Sequence, residues 1–192
     1  MNKIVGALLL LGLLILPAAL VVGFSYTGSA HPIERSVIED DYFLEESTND
    51  VEVLFFGFAG CATVCPSSLA KIASVLDSEQ LKQEDRTVGG LFIDVKATTE
   101  SGRDISNADQ YGRAFSSRIR GYTPDMESYR QLADEFIIRL YESRGDKGQI
   151  SHTDHFFILV RDGDQWTIER VLNNQIDESH MIDIIAQSMK NL

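Results

Sequence analysis

The sequence predicts one α/β domain, a central mixed sheet flanked by helices, carried behind an N-terminal transmembrane helix. Three features predict it: an uncharged apolar run at the start, strand-like runs alternating with helical patterns, and a late hairpin followed by an amphipathic helix. A length of 192 residues accommodates one ordinary domain plus an anchoring segment, and 44% hydrophobic residues suit a packed core.

Ile4 to Phe24 holds no charged residue. As a helix it rises roughly 31 Å at about 1.5 Å per residue, enough to cross a bilayer. A cleaved signal peptide is the competing reading, because Gly28 and Ala30 have small-residue cleavage spacing, but signal cores run only about 7 to 15 residues. Lys3 is the sole charge before residue 31, so the N-terminus belongs in the cytoplasm and the domain outside. The short basic leader suits a bacterial inner membrane, single-pass, with the domain in the periplasm. Residues 1–25 are thus the expected anchor (or uncleaved signal), 26–50 a tether and 51–192 the domain. The tether rests on Gly28, Pro32 and the acidic run Glu39, Asp40, Asp41, with a short strand expected around Tyr42 to Leu44.

Val51 to Phe58 is apolar except for Glu52 and rich in Val and Phe, the pattern of a buried central strand. Pro66 opens a helix to about Leu76, with Leu69, Ile72, Ala73 and Leu76 on one face. Gly89 and Gly90 precede a second strand, Leu91 to Val95. Tyr111 to Phe115 predicts a short helix, and Thr123, Pro124, Asp125 and Glu127 start another that carries Tyr129, Leu132, Ala133 and Phe136. Phe156 to Val160 is a third strand, which Asp162-Gly163 turns into a returning strand, Trp166 to Val171. Asp177 to Met189 closes the chain as an amphipathic helix with Met181, Ile182, Ile185 and Met189 inward. Two parallel-type strands joined by a helix, then an antiparallel hairpin and a closing helix, match a thioredoxin-like arrangement.

A net charge of −12 argues against nucleic acid, whose phosphates it repels. It fits a basic protein partner, a cation, or a simply solvated acidic surface. The chemistry concentrates at Cys61 and Cys65, the only cysteines, between the first strong strand and the helix that Pro66 marks. Backbone N–H groups at a helix start favour thiolates, which attack disulfides or ligate soft metals. A plain disulfide is the bland alternative, yet closing a loop of about five residues removes only on the order of 2 kcal/mol of chain entropy. Of four histidines, His31 lies in the tether and His180 on the last helix, without neighbouring ligands. His152 and His155 lie where the third strand begins, and their three-residue offset lets at most one face the cysteines.

The stretch Val53 to Leu69, VLFFGFAGCATVCPSSL, resembles the Sco/SenC segment in which a strand and a Gly lead into Cys-x-x-x-Cys-Pro. Phe92-Ile93-Asp94 is similar to that family's strand ending in an Asp beside its metal site, and Ile150 to Gly163 to its His, strand and Asp-Gly turn. The similarity covers roughly residues 51 to 190. Three departures stand out: no Gly-rich hairpin turn in residues 31 to 50, Val95 after Asp94 in place of Pro, and Ser151 before the His in place of Asp. The resemblance implies a membrane-anchored, thioredoxin-like copper chaperone serving the dinuclear copper site of cytochrome c oxidase. Its register selects His152, so Cys61, Cys65 and His152 become the expected metal ligands and Asp94 their supporting neighbour. Two thiolates and an imidazole suit Cu(I), and Cu(II) if another group adds, whereas structural zinc normally takes four protein ligands. The partner it implies is the copper-bearing subunit of cytochrome c oxidase, or another copper or thiol protein. An enzyme is the alternative: a thiol-disulfide oxidoreductase with Cys61 and Cys65 as its redox pair, or a redox sensor using the same pair. Against a general thioredoxin stand the three-residue cysteine spacing and the absence of a Pro before the Phe156 strand.

Overall fold

The computed structural model describes residues 31–59, 61, 64–95, 107–142, 150–152 and 154–192, of which Ile33–Leu192 form one compact unit. Its centre is a five-stranded sheet in the order β3-β2-β1-β6-β7. These strands are β1 (Val51–Gly57), β2 (Val88–Asp94), β3 (Ile119–Tyr122), β6 (His155–Asp162) and β7 (Gln165–Asn173). β1 to β3 run parallel, and β6 and β7 complete the sheet antiparallel. A separate two-stranded sheet pairs β4 (Leu140–Glu142) with β5 (Ile150–His152). The mixed sheet with helices on both faces is the architecture the sequence predicts.

The alternation of β1 divides the core. Val51, Val53 and Phe55 pack with Leu69, Ile72, Val75 and Leu76 of α1 (Val64–Leu76), and with Met181, Ile185 and Met189 of α5 (Glu178–Lys190). Leu54 and Phe56 point the other way, into a layer with Phe43, Phe157, Trp166, and Tyr129 and Leu132 of α4 (Met126–Glu135). Every residue of β1 is buried, as its near-continuous apolar run requires of a strand covered on both faces. Asp125 caps α4 by accepting the Ser128 N–H at 2.8 Å. Two short helices, α2 (Glu79–Lys82) and α3 (Asn107–Arg113), complete the unit.

Several expectations need correction. Tyr42–Leu44 is a 3₁₀ turn and not a strand: Leu44 N donates to Asp41 O at 2.7 Å, and Phe43 and Leu44 are buried. Residues 33–50 pack on the domain where composition suggests a tether: Ile38 N donates to Trp166 O and Ile168 N to Ser36 O, both at 2.9 Å. The helix after the cysteines starts at Val64, ahead of Pro66, so Cys65 belongs to its first turn. β3 has no counterpart in the sequence reading, because Ile119-Arg120-Gly121-Tyr122 is too short and mixed to show a period. The expected span Ile4–Phe24 and residues 26–30 lie outside the described residues. Among those described, no helix is long and apolar enough to cross a membrane.

Gly89 and Gly90 lie inside β2 and do not precede it. Their neighbour in the sheet explains why. Glu52, fully buried on β1, accepts from Ser47 Oγ at 2.5 Å and from Asn49 Nδ2 at 2.9 Å, with Arg120 Nη2 3.5 Å away. A buried carboxylate is tolerated only with such partners. Gly89 sits opposite Glu52, and a Cβ there would fall 2.1 Å from Asn49 Nδ2 and 2.9 Å from Glu52 Oε2. Gly89→Ala therefore destabilises the domain by about 1–3 kcal/mol, as overpacking does. A urea titration showing an unchanged midpoint would contradict that reading.

Candidate metal and thiol centre

The site forms where β1 and β2 end together. Gly57, the last residue of β1, lies in register with Asp94, the last of β2. After Gly57 the chain leaves the sheet and turns back on itself: Cys61 N donates to Phe58 O at 3.1 Å, and Ala59 N donates to Asp94 Oδ2 at 3.3 Å. The carboxylate of Asp94, 6% exposed, thus holds the loop that carries Cys61. Val64 then opens α1, with Cys65 in its first turn.

No disulfide joins the two cysteines, Cys61 half-buried and Cys65 wholly buried. They hydrogen-bond to each other, and the Phe58 backbone N–H donates to Cys65 Sγ. Gly57 makes this possible, since a Cβ there would lie 2.9 Å from Cys65 Sγ, 2.9 Å from Phe92 Cε2 and 3.0 Å from Phe55 Cε1. The sulfur of Cys65 lies against the bare backbone of the central strand.

The helix start does not make Cys65 a ready thiolate. Burial pushes its thiol up to about 12, aided by the hydrogen bond to Cys61 and the charges of Cys61 and Asp94, against a lowering contribution from the Phe58 N–H. Desolvation here outweighs the backbone donors that alone predict a lowered value. Tyr111 on α3 is a member of the site that sequence reasoning missed. Its ring packs at a tilt against Phe92, centroids 5.5 Å apart, and its hydroxyl is raised by burial first, then by Cys65, Cys61 and Asp94. In the sequence Tyr111 shows only a helical apolar position, and nothing there reports its nearness to residues over forty positions away.

The histidines separate. His155 opens β6 with its ring 6.5 Å from that of Phe157, two residues on and therefore on the same face of the strand. Phe157 belongs to the core layer opposite the one that holds Cys65, so His155 faces away from the thiols. His152 ends β5, paired in register with Leu140. The side chain of His152 lies outside what the structure describes. Among the described residues, no group of three or more His, Cys, Asp or Glu is gathered for a metal. The site as described is a thiol pair, a neighbouring carboxylate and a tyrosine at the carboxyl ends of two parallel strands, where α/β sheets characteristically bind ligands.

The sequence profile of the SCO1/SenC family matches residues 44–190, nearly all of the compact unit. The chain belongs to the SCO1/SenC family. The mitochondrial SCO2 homolog of Danio rerio is 29% identical over 116 residues, 58% of this chain and 40% of that protein. The human mitochondrial SCO1 homolog is 28% identical over 117 residues, 58% of this chain and 37% of that protein. The chain thus spans about two fifths of the length of these relatives. Among solved structures, Arabidopsis thaliana ScoI with copper bound superposes with a TM-score of 0.65 at 16% identity, covering 75% of this chain and 86% of that one. Yeast Sco1 with copper bound gives 0.59 at 19%, covering 74% and 77%. BsSco, described as a member of the Sco family of cytochrome c oxidase assembly proteins with a disulfide switch, gives 0.52 at 17%, covering 74% and 81%. At these identities the superpositions establish the shared fold.

Two outcomes follow from the packing of Cys65. Gly57→Ala displaces the thiol, costs about 1–3 kcal/mol, and speeds alkylation of Cys65, measured by mass spectrometry of the folded protein. An unchanged alkylation rate would contradict the contact. The raised thiol also sets a pH window. The unfolded chain loses this proton near 9 and the folded chain only near 12, so stability is intact below 9 and falls as pH rises towards 12. Tyr42 and Tyr129, both pushed up to about 12 chiefly by burial, add a fall that starts near 10. Denaturant titrations of the reduced protein against Cys65→Ser isolate the thiol part, which the variant lacks.

Proposed function

We propose that this chain is a copper-binding metallochaperone, in which Cys61 and Cys65 bind copper as thiolates and His152 completes the ligand set. The ion is cargo, passed by ligand exchange to the cysteines of the dinuclear copper site of cytochrome c oxidase, or the pair prepares those cysteines for it. The observation that carries this reading is the thiol pair itself: two neighbouring sulfurs not joined by a disulfide, one reachable and one buried, at the mouth of a SCO1/SenC fold. Copper-bound structures of the Arabidopsis and yeast relatives and the cytochrome c oxidase assembly role given for the Sco family support it.

Chemically, the buried pair is suited to a soft cation. Burial disfavours a bare thiolate at Cys65, and Cu(I) supplies a counter-charge while replacing the proton. Asp94 keeps the Cys61 loop in place through Ala59. In this reading Ile4 to Phe24 is the membrane anchor, and the domain faces the periplasm.

A second reading has one observation in its favour. Contacting thiols can close to a disulfide, so Cys61 could attack a partner's disulfide and Cys65 resolve the mixed disulfide, leaving the partner reduced and this pair oxidised. The raised Cys65 thiol slows that second step near neutral pH, which favours metal transfer over rapid turnover.

Anaerobic Cu(I) titration against a competing chelator tests the proposal. One equivalent binds tightly, and Cys61→Ser or Cys65→Ser each lowers affinity by more than the roughly 10–100-fold typical of outer-shell changes. Near-stoichiometric binding that survives Cys61→Ser would end it. His152→Ala weakens Cu(II) more than Cu(I), because imidazole is the harder donor. Fast multi-turnover disulfide exchange by the metal-free protein would favour the oxidoreductase instead.

A further inference from the structure

One polar chain near this site has no part in the ligand set. Lys71, on α1 two turns beyond Cys65, donates from Nζ to Asn174 O at 2.6 Å and to Ile176 O at 2.8 Å. Its ammonium also lies 5.9 Å over the Phe156 ring. Asn174 in turn donates from Nδ2 to Asp154 Oδ2 at 2.5 Å. The turn between them is built: Gln175 N donates to Asn173 Oδ1 at 2.8 Å and Ile176 N to Asn173 O at 3.0 Å.

The location matters more than the bonds. The β6–β7 ladder ends at His155 opposite Asn173, and the β1–β6 ladder ends at Phe55 opposite Phe156. Asp154 is therefore the first described residue beyond both ladders, at the end of the sheet where β1 gives way to the cysteine loop. Neither ladder includes it. The side-chain bond from Asn174 reaches it there, and Asp154 is two residues from His152.

We propose that Asn174 and Asp154, anchored through Lys71, are positioning residues that hold the His152 segment in a fixed relation to α1, the helix that carries Cys65. This rests on the copper reading above and adds to it how an imidazole ninety residues away is kept on station. The bond energy is suited to the task. A half-buried ammonium needs its carbonyl acceptors, and a carboxylate receiving an amide N–H is a charge-assisted bond, so neither end is readily given up. A bond that merely closes the hairpin would affect stability alone, whereas positioning residues alter the metal's nitrogen ligation.

The test uses the full chain and Cu(II), with electron paramagnetic resonance to read nitrogen coupling and a chelator competition to read affinity. Asn174→Leu and Asp154→Leu remove the bond, and Asp154→Asn retains an acceptor. The two Leu variants lose about 10–100-fold in Cu(II) affinity and show weakened nitrogen coupling, in the same direction as His152→Ala, while Asp154→Asn stays near wild type. Amide exchange at Ile150–His152 also rises in the metal-free Leu variants, a readout that needs no copper. If both Leu variants keep wild-type coupling and affinity while His152→Ala loses them, the positioning role is wrong and the copper reading stands. If His152→Ala changes neither, or the wild-type chain binds no copper, the ligand set falls and the positioning role falls with it. Should Asn174→Leu fail to fold, Asp154→Leu and Asp154→Asn carry the same comparison.

Discussion

The contact between Cys65 Sγ and the bare backbone at Gly57 is the constraint on which the site depends. It sets the thiol at the meeting point of the central strand and the first helix, where β1 and β2 finish in register and the chain must leave the sheet. A side chain at Gly57 would force apart the elements that bring the cysteines together. Phe55 and Phe92, which close the same space, belong to the core packed between the sheet and α1, so site and core share their walls.

Burial gives the two thiols different characters. Cys65 is held neutral by its surroundings, and Cys61 on the loop remains reachable. A pair of this kind exchanges a soft ion through its outer sulfur while the inner one is protected from solvent and from most oxidants. Asp94 serves the arrangement by accepting from Ala59, a structural task that keeps its charge near the sulfurs. A cation arriving between the thiols meets that charge as well.

Much of this was legible in the residues. Strand β1 and the hairpin of β6 and β7 are written in apolar runs and in Gly163, whose φ of +62° is the turn conformation that glycine adopts without strain. The cysteine spacing and Pro66 announce a chemical helix start, and the resemblance to Sco/SenC drawn from that motif agrees with the profile match over residues 44–190. Less was legible where one residue answers another far along the chain. Gly89 reads as punctuation until Glu52 and Asn49 are seen filling the space beside it. Residues 33–50 read as polar linker because the apolar residues buried there, Ile38, Phe43 and Leu44, are too few to make a period.

By itself the sequence determined the order of the main strands and helices, the apolar faces, and the placing of two thiols at a strand-to-helix junction, because each follows from local periodicity and turn chemistry. Only the tertiary structure decided that Cys65 is buried enough to resist ionisation, that Tyr111 and Asp94 share its surroundings, and that His155 turns to the opposite face. Those outcomes depend on desolvation and on distances between segments tens of residues apart, and neither quantity exists until the chain has packed.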